Sequence, residues 1–279
     1  MVKTGMNSIS EEIRDEFLDY VNKKFGNGHK SRIKALEEAL KDWISKEKHS
    51  LELLSLIDDL DNTDEINAPR HAAHALRNFD DKKSVNALIK ALKSEEVHIR
   101  RRAALSLGHI GDESSVKHLI KCLSDSDPGV RENAVKSLAG MGNVSLKHLM
   151  ESLHDRNEHI RAGALLAFNK MEILENLTDL NCMLLELLDD EDSVVRRRAV
   201  KSLETMGYAD DKTTSRLIKA LDDEDLLVRQ NALVTLGKVG NKDAIEYIIR
   251  ATSDEDPRIK EKAEQAWKSM KERIHNNDF

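Results

Sequence analysis

The sequence is poor in the residues that staple or interrupt a chain. Two cysteines, Cys122 and Cys182, supply no disulfide framework and no metal-binding spacing, which points to reduced thiols in a cytoplasmic protein. Three prolines and no long Gly or Ser tract leave little room for a flexible linker, so one continuous domain is expected; the acidic stretch from Asp58 to Asn67 is too short to divide it. Aromatic residues make up 4%, so the core has to be built from Leu, Ile, Val and Ala. No apolar run approaches the ~20 residues that cross a bilayer, and Met1 to Ser10 lacks the apolar centre of a signal peptide. A basic excess is missing as well. Lys and Arg number 44 against 51 Asp and Glu, and the net charge of −7 argues against a general nucleic-acid binder.

What the sequence has is a pattern repeated seven times. Its anchors are Pro69, Arg100, Arg131, Arg161, Arg196, Arg229 and Lys260, at steps of 31, 31, 30, 35, 33 and 31 residues. Three residues after each anchor comes Ala72, Ala103, Ala134, Ala164, Ala199, Ala232 or Ala263. Large apolar residues follow at plus seven and plus ten, as in Leu107 with Ile110 or Leu203 with Met206. A second signature ends eight residues before the next anchor: Leu88-Ile89 with Leu92, Leu119-Ile120 with Leu123, Leu149-Met150 with Leu153, Leu184-Leu185 with Leu188, Leu217-Ile218 with Leu221, and Ile248-Ile249 with Thr252. Offsets of three, four and seven mark one face of an α-helix, so each unit reads as a helical pair with no strand required. The short Ala lets two helices approach closely, and the Leu residues at 123 and 221 read as core fillers. Between the halves, Gly111, Gly142, Gly207 and Gly240 suit left-handed helix ends. Asp112, Asn143, Asp210 and Asp243 suit entry to the second helix.

The stretches from Asp127 to Gly142, Val195-Arg196 to Gly207 and Val228-Arg229 to Gly240 resemble HEAT repeats of the short type found in phycobilisome-lyase-like proteins. That resemblance covers about residues 31 to 274 and implies an all-α fold: an α-solenoid of stacked antiparallel helix pairs, a HEAT-like superhelix with helical caps at both ends. It also implies a ladder between an acidic loop residue and the anchor Arg. Asp127 precedes Arg131, Asp192 precedes Arg196, Asp225 precedes Arg229 and Asp256 precedes Lys260, and these charges are read as structural. The implied organisation is an N-terminal capping helix over residues 1–28. The array then runs over 29–279, with repeats at about 29–66, 67–97, 98–128, 129–158, 159–193, 194–226 and 227–257 and a C-terminal cap at 258–279.

The first part of the chain has two readings. Ser8 with Glu11 fits a capping box, and Ile13, Phe17 and Val21 mark a helical face that stops at Gly26. Ile33, Leu36, Leu40 and Trp43 begin a second helix, and Leu56-Ile57 with Leu60 repeats the second-helix signature, making 29–66 an entry repeat. The same order also resembles a ribbon-helix-helix DNA-binding unit whose strand is Val2 to Ser8. Gly5 in the middle of that strand and the acid-rich segment from Met1 to Glu65 oppose this second reading.

Catalysis finds little support. Deoxyhypusine hydroxylases resemble the array but hold a di-iron centre on His-Glu pairs. This chain has no such dipeptide, and Glu158-His159 is in the reverse order. Phycobilin lyases are the other catalytic branch, and nothing here reports a tetrapyrrole. His71 and His74 lie one turn apart without a third donor, so no metal and no cofactor is expected.

In HEAT-like arrays the second helices line the concave surface. Two residues beyond the first Leu of each signature come Lys90, Lys121, Glu151, Glu186, Lys219 and Arg250. One residue before it come Ala87, His118, His148, Met183, Arg216 and Tyr247. The resulting candidate groove (Lys90, His118, Lys121, His148, Glu151, Glu186, Arg216, Lys219, Tyr247 and Arg250) runs basic, acidic, basic. That order suits an extended partner of complementary charge better than a uniform polyanion. The Arg runs at 100–102 and 196–198 read as ties between repeats, with phosphate contact as the other reading. Two functions follow: a non-catalytic scaffold for a protein or extended peptide, or a nucleic-acid-associated regulator that docks DNA through its N-terminal helices. Neither reading involves a membrane, and the oligomeric state is left open.

Overall fold

A computed structural model describes residue 23 and residues 32–60, 68–79, 81–171, 177–207 and 210–276. The expected capping helix over 1–28 and the candidate strand Val2 to Ser8 lie outside the described residues. The described residues form fourteen α-helices and no strand.

The chain divides into two compact units, residues 1–76 and 77–279. In the first, α1 (Arg32–Leu60) packs against α2 (Ala68–Ala75). The sequence reading expects a helical pair across 29–66, whereas α1 is one helix of 29 residues. The physical reason is plain: no Gly or Pro falls between residues 32 and 60, and Lys, Glu and Leu, which favour helix, fill the stretch where a turn was expected. Among its described side chains Leu53 is buried, with Leu56, Ile57 and Leu60 half-buried.

The second unit begins with α3 (Lys82–Ala91) and ends with α14 (Pro257–His275). Between them stand five helix pairs. The first helices of the pairs are α4 (Val97–Ile110), α6 (Pro128–Gly140), α8 (Glu158–Phe168), α10 (Ser193–Met206) and α12 (Leu226–Val239). The second helices are α5 (Val116–Cys122), α7 (Asn143–Ser152), α9 (Leu177–Glu186), α11 (Asp211–Lys219) and α13 (Ala244–Ala251). Each first helix packs on the next, from α4 on α6 through α12 on α14, while α5 packs on α7 and α11 on α13.

Every plus-three Ala is buried, from Ala72 to Ala263, and Leu107, Leu138, Leu203 and Leu236 at plus seven are inaccessible to solvent. Leu123 is buried as expected, but Leu221, in the 3₁₀ segment Ala220–Asp222, is only half-buried.

First helices also meet on a row that the repeat pattern did not single out. Ser106, Ser137, Ala167, Ser202, Thr235 and Ala266, six residues after their anchors, are all buried. Gly108 sits on Ser137, whose hydroxyl donates to the Ala104 carbonyl at 2.9 Å. Gly237 sits on Ala266 so closely that a Cβ there would lie 2.6 Å from the Ala266 backbone.

The helix ends are mostly as the residues suggest. Gly111 and Gly207 close α4 and α10 in left-handed geometry, with φ of 75° and 69°. Gly142 has φ of 56° but ψ of −131°, and stands before α7 rather than closing α6. Gly240 is a correction: it is extended, with φ of −61°. What requires glycine there is space, since a Cβ would meet the Leu236 carbonyl at 2.6 Å. Asp112 and Asp210 accept from the backbone at residues 114 and 213, whereas Asp243 makes no side-chain cap.

Candidate functional site

The loops entering α6, α8, α10, α12 and α14 carry an Asp-x-Asp/Asn pair in which each residue has its own task. Asp127, Asn157, Asp192, Asp225 and Asp256 cap α6, α8, α10, α12 and α14. Two residues earlier, Asp125, Asp155, Asp190, Asp223 and Asp254 accept the backbone N–H of the capping residue at 2.8–2.9 Å.

These earlier carboxylates carry the ladder. Arg100 forks onto Asp125, Arg161 onto Asp190 and Arg196 onto Asp223, with both N–H···O distances between 2.7 and 2.9 Å in each pair. Each of these arginines also donates Nη1 to two carbonyls of its own loop, so that one side chain grips two loops. The expectation that Asp127, Asp192 and Asp225 pair with the anchor that follows them is therefore corrected. All three cap their own helix, and Asp127 and Asp225 also pair with Arg101 and Arg197 of the preceding repeat, at 2.7 and 2.9 Å, rather than with the anchor that follows them. Asp256 pairs with Arg258 of its own helix, not Lys260.

The hydrogen bond from Arg101 holds the Asp127 carboxyl down at about 2, and that from Arg258 does the same for Asp256, also about 2. A carboxylate depressed in the folded state adds stability that is present above its unfolded value near 4 and vanishes as pH falls through the folded value. The urea midpoint is accordingly expected to stay level from pH 7 to about 5 and to fall between about pH 4 and 2. A midpoint that holds constant down to pH 2 would show that these caps contribute nothing.

The Arg runs are thus largely committed within the protein. Arg100, Arg101, Arg196 and Arg197 each pair with a carboxylate, which removes most of the charge that a phosphate would need.

On the second-helix face, Lys90, Lys121, Glu151, Glu186, Lys219 and Arg250 are all exposed, one on each of α3, α5, α7, α9, α11 and α13. Beside them His118, His148 and Arg216 are half-buried and Tyr247 is exposed. Burial, with Lys121 and Lys93 nearby, pushes the His118 imidazole below its usual value. Arg216 and Lys219 are brought together on Asp189, at 2.6 and 3.1 Å, so the second basic stretch is partly neutralised. Burial would raise the Asp189 carboxyl, but these two bonds outweigh it and hold it below the usual range. Sequence spacing did not reveal Asp189, which lies in the 3₁₀ turn after α9.

A cavity of about 360 Å³ lies on the opposite row, across the first helices α6, α8 and α10. Its floor is Gly163, with Leu123 beneath: a Cβ at Gly163 would lie 2.9 Å from the Leu123 Cβ. Arg131 and Arg198 both line it. The sequence signal was the pair Ala162-Gly163, where α6 has Glu132-Asn133 and α10 has Arg197-Arg198. Among the described residues no group of three or more His, Cys, Asp or Glu could hold a metal ion, and no helix is long and apolar enough to cross a membrane. Both His71 and His74 are exposed on α2. Burial pushes the Cys122 thiol up to about 12, while Cys182 is exposed.

The family profile of HEAT repeats matches residues 53–138, 99–169 and 183–268, well over half of the chain. The chain belongs to the HEAT-repeat family. Among solved structures, it is similar to the YibA protein of Escherichia coli, at 18% identity and a TM-score of 0.51, over 94% of this chain and 97% of that one. It is also similar to an archaeal HEAT-like repeats protein from Thermococcus onnurineus NA1, at 16% identity and a TM-score of 0.48, covering 79% of this chain and 97% of that one. A third is the CpcE–CpcF complex of phycocyanin lyase from Nostoc sp. PCC7120, at 24% identity and a TM-score of 0.37, covering 77% and 93%. No curated protein matches the sequence. At these identities the likeness is one of fold.

Proposed function

We propose that this HEAT-repeat protein is a non-catalytic scaffold that binds a partner protein or an extended peptide along the face formed by its second helices. The observation that carries the reading is the exposed row of Lys90, Lys121, Glu151, Glu186, Lys219 and Arg250, one from each successive second helix. A repeating register presents such side chains along one line, which suits an elongated ligand with matching charge. Free thiols, one of them buried and pushed far from its reactive form, support a reducing cytoplasmic setting.

Charge reversal tests the reading. Lys121→Glu with Lys219→Glu is expected to abolish capture of the partner cross-linked in the native cell, with far-ultraviolet circular dichroism unchanged. Undiminished capture would remove the second-helix face from the function. Retention on DNA that falls steeply with salt would replace the scaffold with the nucleic-acid reading.

A further inference from the structure

The geometry points to a second binding site, separate from the second-helix face: the cavity over Gly163 takes the carboxylate side chain of a partner peptide, held by Arg131 and Arg198. The site arises where the ladder is interrupted. Arg131 donates to the carbonyls of Asp125 and Ser126 at 2.8 and 3.0 Å, as Arg100, Arg161, Arg196 and Arg229 do in their own loops. Unlike Arg100, Arg161 and Arg196, it has no carboxylate within ion-pair distance among the described residues. The neighbouring rung is missing too, because Ala162 stands where Arg101 and Arg197 reach Asp127 and Asp225.

Arg198 fills part of the gap from the other side. Its Nη1 donates to the Ala162 carbonyl at 2.6 Å, and it also forms no carboxylate pair among the described residues. Burial pushes this guanidinium below its usual value; the nearby Asp192 carboxylate opposes the shift and Arg131 adds to it by a smaller amount. Two half-buried guanidiniums that repel each other favour an anion between them. Exposed Lys170 adds a third positive charge at the rim.

The acids at the rim have other work. Asp192 caps α10, Glu132 pairs with Lys136 at 2.7 Å, and Glu158 lies 3.9 Å from His159. Their charge still decides the ligand, since three carboxylates repel a phosphate dianion more than a single carboxylate. Leu123, Val135 and Leu166 supply an apolar wall for the methylene stem of a glutamate.

The test uses the full chain and the arginine Nε–Hε signals in nuclear magnetic resonance, titrated with acetyl-Leu-Glu-Leu-amide. The Arg198 signal is expected to shift saturably with this peptide and not with its Gln counterpart. Arg198→Gln should weaken binding about ten-fold, the loss of one charged hydrogen bond. Lys170→Gln, at an exposed position that folding does not depend on, should weaken it about two-fold. Lys121→Glu with Lys219→Glu should leave the titration unchanged, which separates this site from the second-helix face. Equal shifts with the Gln peptide, an unchanged affinity in both Arg198→Gln and Lys170→Gln, or no saturable shift would each overturn the proposal. Tighter binding of a phosphoserine peptide would overturn the choice of carboxylate, and propionate binding as tightly as the peptide would overturn a peptide as its source.

Discussion

Replacing Asp190 by alanine is expected to lower the free energy of unfolding by about 3 to 5 kcal/mol, the cost of leaving one member of a buried ion pair without its partner. The Arg161 and Asp190 side chains are 8% and 7% exposed. The substitution removes both acceptors of the Arg161 fork and the acceptor of the Asp192 N–H, while Arg161 stays held by the carbonyls of Asp155 and Arg156. Exposed Glu191, 3.7 Å from the guanidinium, remains as a weaker partner and offsets only part of this. Asp190→Asn, which keeps one oxygen acceptor, replaces the other by an NH2 donor and loses the charge, should fall between the original protein and the alanine variant. Urea unfolding followed by circular dichroism measures the loss, and hydrogen exchange should place it first in α8 and α10, because repeats are coupled to their neighbours. A loss below about 1 kcal/mol, the range of exposed pairs, would show that the rung behaves as a surface ion pair.

Truncating Leu203 to alanine is expected to cost about 2 to 5 kcal/mol, from lost transfer free energy and the cavity left behind. Leu203 is inaccessible to solvent at the centre of α10, with Ala199 and Val200 beside it equally buried. The sequence gives Leu221 the same apparent rank, as the last residue of its helical signature, yet it is half-buried. Leu221→Ala should therefore cost clearly less than Leu203→Ala under the same conditions. Equal losses would mean that position in the repeat, rather than burial, governs the energetics.

That contrast shows what periodicity conveys. Offsets of three, four and seven identify the buried face of each helix, and the plus-three Ala and plus-seven Leu residues are buried as the pattern requires. Periodicity does not distinguish neighbours within reach of one side chain. Asp125 and Asp127 are both within reach of the preceding repeat, and two adjacent arginines divide them, Arg100 taking Asp125 and Arg101 taking the capping Asp127. The close seam at Gly108 and Ser137 was hidden for another reason: Ser there is small and polar, and reads as a surface residue until its hydroxyl is seen bonded to Ala104. The groove residues could be aligned by register, but Asp189, which neutralises two of them, lies outside that register. The cavity over Gly163 arises from missing side chains, and a pattern of what recurs does not report a local deficit.

The arginine grip also governs where this architecture tolerates change in chain length. From the last residue of each second-helix signature to the next anchor the distance is eight residues in all six cases, as in Leu92 to Arg100 and Leu188 to Arg196. The variation in step, from 30 to 35 residues, falls wholly on the opposite edge, between the first and second helix of a unit. One border of the protein is length-locked, because an added residue would pull a carboxylate out of its fork. The other is editable, and it is there that an engineered loop, or a natural insertion, enters without disturbing the order of the stack.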